Sequence, residues 1–261
     1  MKILVFVKQV PDTDDVALDP KTGRLVREGV ESKLNPVDAN AVEAAVQLKE
    51  KHGGTIGVIS MGLPQAEDVL KKALALGCDE SYLLSDRPLG GADTLATAYT
   101  LSLAARRIGG YDLLLFGRNA IDGDTAQTGP ATAAFLGIPQ ITLASSIDVE
   151  DGWVVCERRL EDCTQKVRAR MLALVTVTAE MNKPRYPRPV DIVKALKKPR
   201  HTWTAQDLGA DPSRIGMNGS PTSTRGLMEP PKRKADTKYF QGQPREIAAQ
   251  IADLLHNERL I

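Results

Sequence analysis

The chain has 261 residues, of which 42% are hydrophobic and 26% charged, with a formal net charge of +1. That length carries one large α/β domain with extensions or two small domains; the near-zero charge gives no reason to expect a nucleic-acid partner, and an aromatic content of 4% argues against a platform for stacking bases. No apolar stretch approaches the roughly 20 residues that cross a bilayer, and the start, "MKILVFVKQV", has too short an apolar core for a secretory signal, so a cytoplasmic protein is expected.

From the first residue to about 140 the chain alternates between two patterns. "ILVFV" is a continuous apolar run, the mark of a strand covered on both faces. "NPVDANAVEAAVQLKEKHGG" follows as a helix, with Asn35 as its cap, Pro36 at its first position, apolar repeats at Val42, Ala45, Val46 and Leu48, and a stop at Gly53. "TIGVIS" is a second strand, "PQAEDVLKKALALG" a helix, "SYLLS" a third strand, "DTLATAYTLSLAARRIGG" a helix and "YDLLLF" a fourth strand. Such alternation predicts right-handed crossovers and a parallel sheet.

After residue 140 the pattern changes. "ITLASSIDVEDGWVVCERRLEDCTQKVRARMLALVTVT" is strand-like, with Asp151-Gly152 as a hairpin turn. Eight of the sixteen prolines then fall between residues 181 and 240, a stretch with little periodicity that is expected to form an irregular arm. "PREIAAQIADLLHNERL" closes the chain as an amphipathic helix, with Ile247, Ile251, Leu254 and Leu255 on one face. The division expected is an α/β domain over 1–180 and, over 181–261, an arm with its terminal helix lying on another subunit.

Cys78, Cys156 and Cys163 form no C-x-x-C, and His52, His201 and His256 are scattered without ligand spacing, so free thiols and no metal are expected. There is no G-x-G-x-x-G after the first strand and no G-x-x-x-x-G-K-[ST], and no nucleophile–His set can be assembled. In a parallel sheet ligands sit at the carboxyl ends of the strands. The loops there are "KQVPDT", "MGLPQ", "LGGADTLAT" and "RNAIDGDTAQTGP". Each places Gly, Ser, Thr or Asp near a helix start, where free N–H groups favour phosphate. The plain alternative is ordinary capping, with Asp93 and Asp124 as the caps. Asp122 and Asp124, two apart at a turn, could bind a metal but lack a partner motif.

Four stretches together resemble the beta, or small, subunit of electron-transfer flavoproteins: "VKQVPDT" at 7–13, "NPVDANAVEAAVQLKE" at 35–50, "GRNAIDGDTAQTGP" at 117–130 and "NKPRYPRPVDIVKALKK" at 182–198. The resemblance implies an α/β parallel-sheet nucleotide-binding domain, adenine-nucleotide-hydrolase-like, with an extended C-terminal arm wrapping an alpha subunit that carries its own FAD. It implies no catalytic side chain, since the flavin carries the redox chemistry. By the same resemblance the nucleotide is held by Phe6 and Lys8 after the first strand, Asn35, Val37 and Asp38 at the first helix, and Ser60 and Met61 after the second strand. Thr94 and Thr97 add to this, with Gly117, Arg118, Asp122, Gly123, Asp124, Thr125, Ala126, Gln127 and Thr128 of the fourth loop. Gly123 lets the backbone approach closely, and Thr125 and Gln127 donate hydrogen bonds.

Two variants of the family differ in the ligand. In the housekeeping type the beta nucleotide is AMP and the turn is more acidic. In the flavin-bifurcating type it is a second FAD, with a turn like "DGDTAQ" and a "G-A-D-T-x-A-T" loop, here Gly91 to Thr97. The bifurcating type is expected, with NADH as electron donor; the alternatives are the AMP-binding type and a nucleotide sensor with no redox role. A flavin-dependent dehydrogenase is expected to dock near Arg185–Lys198. Seven Lys/Arg and one Asp lie between Lys183 and Arg200, a charge that would steer an acidic partner, and Pro189 stands where the housekeeping type presents a leucine.

Overall fold

The computed structural model describes residues 1–12, 32–223 and 237–261. Thr13 of the first motif and residues 224–236 of the Pro-rich stretch lie outside the described residues. In chain order the elements are β1 (Lys2–Phe6), β2 (Gln9–Pro11), β3 (Ser32–Leu34), α1 (Pro36–His52), β4 (Thr55–Met61), α2 (Glu67–Leu76), β5 (Glu80–Leu84), α3 (Thr94–Ile108), β6 (Leu113–Gly117) and α4 (Thr128–Leu136). They continue with β7 (Gln140–Glu150), β8 (Trp153–Arg159), β9 (Thr164–Arg170), β10 (Ala173–Val177), α5 (Pro189–Ala195), β11 (Arg200–Trp203) and α6 (Pro244–Asn257).

Nine strands form one sheet in the order β11-β5-β4-β1-β6-β10-β7-β8-β9. From β11 through β7 every pairing is parallel, as the doubly apolar runs predict; the β7–β8 and β8–β9 pairings are antiparallel, so β8 runs against the rest of this sheet. Successive residues of β1 serve opposite faces. Ile3 and Val5 pack with α1 and α2 residues such as Val42, Ala45, Leu70 and Leu74. Leu4 and Phe6 pack with Leu101, Ala104 and Ala105 of α3 and Ala133 of α4. The β7–β8 hairpin turns at Asp151 (φ 48°) and Gly152 (φ 79°), both left-handed, as a two-residue turn matched to strand twist requires. The short antiparallel pair β2–β3 was not legible in the sequence, because its strands are three residues each.

Two expectations change. Asn35 stands at the cap position of α1 but makes no side-chain cap hydrogen bond; its amide is used across the loops described below. The stretch from 181 to 223, expected as irregular, supplies α5 and the edge strand β11, which pairs in parallel with β5 from Arg200↔Ser81 to Trp203↔Leu84. Its anchors are few and widely spaced (Ala195, Ala205, Leu208 and Ile215 are buried), so no period reveals them.

The chain divides into two compact units, Met1–Arg225 and Gly226–Ile261. The second holds α6, opened by a reciprocal cap between Gln243 and Glu246 with Pro244 at the first position. Among the described residues no helix is long and apolar enough to cross a membrane.

Candidate functional site

Strand order reverses at β1. The chain goes from β1 to β4 and β5 on one side, then crosses to β6 on the other. The loops leaving β1 and β6 therefore part, and the crevice between them is where α/β sheets bind ligands. The residues expected to hold a nucleotide lie at the carboxyl ends of β1, β4 and β6, at the start of α1, and in the first turns of α3 and α4.

Asp38 ties the two central strands together. It is 6% exposed and its Oδ2 accepts the Lys8 backbone N–H at 2.8 Å. Its Oδ1 lies so close to Gly117 that a Cβ there would sit 2.3 Å from it, so only glycine fits at the end of β6. Burial pushes the Asp38 carboxyl up to about 7, against the lowering pull of the Asn35 amide, the backbone N–H groups of Lys8 and Gly117, and the Lys8 charge. Asn35, fully buried, joins α1 to the loop after β6. Its Nδ2 donates to Asn119 O at 2.8 Å, and its Oδ1 accepts the Ile121 N–H at 3.2 Å. Asn119 and Ile121 were not singled out from sequence, although both lie inside the quoted motif; they meet Asn35 through main-chain atoms, which residue type does not report. Val37 is half-buried beside them.

The turn from Arg118 to Gln127 is exposed from Ile121 onward. Asp124 (φ 46°) and Ala126 (φ 54°) are left-handed without being glycine, a conformation that costs about 1–2 kcal/mol per residue and recurs at ligand-holding turns. Asp124 does not cap α4. Its Oδ1 takes the Asn119 amide, and α4 starts at Thr128 with Gln127 at the cap position and no side-chain bond to the free N–H groups. A Cβ on Gly123 would meet nothing within 4 Å. Lys8 Nζ reaches both Asp122 oxygens, at 2.7 and 2.8 Å, bridging the β1 and β6 loops. Arg118 donates its backbone N–H to Val177 O at 2.8 Å and its Nε to Asn119 Oδ1 at 3.2 Å.

The α3 side closes toward this turn: Thr94 Oγ1 donates to Thr125 Oγ1 at 3.3 Å. Asp93 does cap α3, accepting from Leu95 N and Ala96 N, so those helix N–H groups are taken and the Thr94 side chain is what meets the turn; Thr97, in the same first turn, gives its N–H to Asp93 O at 2.9 Å. Under the crevice Phe6 and Phe116 stack at 4.2 Å. At the end of β4, Ser60 is 1% exposed and its Oγ has no hydrogen-bond partner among the described residues; Met61 packs on the α3-side core.

In the segment Arg185–Lys198 the two arginines are already paired, while three lysines, Lys194, Lys197 and Lys198, keep their charge. Arg185 pairs with Glu43 at 2.8 Å and Glu50 at 2.6 Å, Arg188 with Asp191 at 2.6 Å, and neighbouring Arg200 with Glu67 at 2.7 Å. Lys198 donates to Leu74 O at 2.8 Å and Cys78 O at 2.5 Å. α5 presents Val190, Ile192 and Val193 to solvent beside Lys194, and Tyr186 and Leu196 are exposed on either side of it.

Residues 22–208 match the electron transfer flavoprotein domain. The chain is 44% identical, with both proteins covered in full, to the electron transfer flavoprotein subunit beta of Thermoanaerobacterium thermosaccharolyticum. It is 42% identical, again over the whole of both, to the caffeyl-CoA reductase-Etf complex subunit CarD of Acetobacterium woodii. It is 40% identical over 99% of this chain and 92% of the relative to the protein FixA of Bradyrhizobium diazoefficiens.

Proposed function

This chain belongs to the electron transfer flavoprotein family, and we propose that, as a beta subunit paired with an alpha subunit that carries its own FAD, it holds a second FAD in the β1/β6 crevice and takes electrons from NADH. When bound, FAD supplies the redox chemistry that the side chains lack. The observation that carries this reading is the approach of Thr94 to Thr125, Oγ1 to Oγ1 at 3.3 Å, which sets two groups of donors side by side where one phosphate would need only one.

The residues fit a dinucleotide. The backbone is left-handed at Asp124 and Ala126, a conformation found in turns that bind anions, although the Gly123 and Asp124 N–H groups already bond to Ala120 O. The α4 start adds N–H groups without a side-chain cap, and the space over Gly123 is open. Lys8 brings a positive charge that an incoming phosphate would share with Asp122. The buried Ser60 hydroxyl offers a hydrogen bond still unmade. Asp38 and Asn35 are consumed in bonding the loops to each other, so their part is to fix the crevice rather than to touch the ligand.

A dehydrogenase partner is proposed to dock at Arg185–Lys198. The apolar residues exposed on and beside α5 support this together with the charge of Lys194, Lys197 and Lys198, since Arg185 and Arg188 are already paired with carboxylates.

The test is flavin counting in the heterodimer. Wild type is expected to carry two FAD and to be reduced by NADH. Gly123→Asp sets a carboxylate beside phosphate; because its Cβ meets nothing, the fold is left intact and the loss falls on the ligand. The variant is expected to keep one FAD and lose NADH reduction. One FAD with AMP in the wild type, and no reaction with NADH, would leave the AMP-binding reading in its place.

A further inference from the structure

We propose that Asp93 is a positioning residue that locks the distant segment 214–222 onto the start of α3, so that this segment sets the geometry of the Thr94 and Thr97 edge of the crevice. The value of that edge to a phosphate rests on the function proposed above.

Both carboxylate oxygens of Asp93 are in use, on different parts of the chain. Oδ1 accepts Leu95 N at 2.9 Å and Ala96 N at 3.1 Å, capping α3. Oδ2 accepts Thr222 N at 3.2 Å and Thr222 Oγ1 at 2.9 Å, a separation of 129 residues. The Asp93 N–H donates to Ser220 Oγ at 2.8 Å, and that hydroxyl donates onward to Gly216 O at 2.7 Å. Capping needs only the first oxygen; the second serves the lock.

The segment is seated by more than these bonds. Gly216 (φ 54°) runs so near the chain before α3 that a Cβ would lie 2.1 Å from Pro88 O. Gly91 (φ 73°) faces Met217 the same way, with a Cβ 2.4 Å from its Cγ. Ile215 is 3% exposed in the α3-side core, and the Arg214 guanidinium lies 4.0 Å over the Tyr99 ring. Thr94, next in sequence to Asp93, is the residue that meets Thr125. A ligand that fixes Thr94 therefore favours the seated segment, and the seated segment favours the ligand by the same factor.

The experiment uses the full chain, with FAD as the probe, in Ser220→Ala/Thr222→Val and in Thr222→Ser. Neither position is among the residues expected to hold the nucleotide. The double variant is expected to bind FAD about five-fold or more weakly, in the range of ordinary coupling between sites, while Thr222→Ser, which keeps the hydroxyl, binds as wild type. Amide exchange of 214–222 should slow when FAD binds the wild type and not when it binds the double variant. Unchanged FAD affinity with faster exchange in 214–222 would overturn the proposal, because the segment would then dock without positioning anything. Should the wild type bind no FAD, the flavin reading fails separately. The lock is then judged by exchange at Leu95 and Ala96: faster in the double variant upholds it, unchanged defeats it.

Discussion

Replacing Asn35 with alanine separates two accounts of the α1 start. Were Asn35 a helix cap, the change would cost about 1 kcal/mol. In the structure its amide instead joins Asn119 O at 2.8 Å and Ile121 N at 3.2 Å from a fully buried position. Alanine strands a carbonyl and an N–H together, each worth about 1–3 kcal/mol when left unpaired out of water. The turn beyond Ile121 is exposed, so Asn119 O and the Ile121 N–H can partly rehydrate, which puts the expected loss at the lower end, about 2–3 kcal/mol. Denaturant unfolding of the chain should show a lower midpoint at unchanged slope. Amide exchange at Ile121 should quicken while exchange at Ala39, whose N–H bonds to Asn35 O at 3.1 Å, stays as it was. A loss of about 1 kcal/mol or less, with Ile121 exchange unaltered, would show that the cross-loop bonds contribute nothing and that the cap account was right.

Asp38 should give stability a pH dependence of unusual sign for a carboxylate. Its pKa is raised from 3.8 to about 7, so the folded chain keeps a proton that the unfolded chain releases, and stability falls as pH rises from about 4 to about 7 and levels above that. Asp38→Asn should flatten denaturation midpoints across that window; Asp148, held down to about 2 by Lys51 and His52, acts only at more acid pH. Gly117→Ala drives a Cβ to 2.3 Å from Asp38 Oδ1 and 2.9 Å from Asp38 N, and should lower stability by about 1–3 kcal/mol or more, read as a fall in melting temperature with weakened nucleotide binding. Arg185→Ala removes the guanidinium from Glu43, 5% exposed, and leaves it the backbone N–H of position 185 at 3.2 Å and the Gln47 amide at 2.8 Å. The expected loss is about 2–3 kcal/mol, less than for a wholly buried pair because Arg185 is partly exposed. Arg185→Ala/Glu43→Gln should recover part of it, a coupling read by a double-mutant cycle.

The parallel sheet and its polar edge were legible because each strand core is an unbroken apolar run and each following helix has a start and stop signal. The loops that meet at the crevice were found for the same reason, since they follow directly on those runs. What was not legible is division of labour. Asn35 reads as a cap and is a brace; Asp124 reads as a cap and is held by Asn119; Asp93 reads as a cap and is one with half its carboxylate. One residue type serves both purposes, and only the distance to a partner far along the chain tells them apart. The pairing of Arg185 and Arg200 was hidden in the basic run because their partners Glu43, Glu50 and Glu67 lie more than a hundred residues earlier. Strand β11 escaped notice because its four residues, "RHTW", are mostly exposed.

The place of β10 has a kinetic consequence. Residues 173–177 lie between β6 and β7, pairing in parallel with Leu113–Gly117 on one side and from Leu174↔Gln140 to Val177↔Ala144 on the other. The β7–β8–β9 meander can form from neighbours in sequence, but β10 joins β6 only after a loop of some sixty residues closes, and such non-local parallel pairings form slowly. The turn after β6 is fastened to β10 through the Arg118 N–H and Val177 O. The crevice is thus completed only by non-local pairings, β10 on β6 and β6 on β1, and the capacity to bind a nucleotide is expected to emerge late in refolding, after most of the secondary structure is in place.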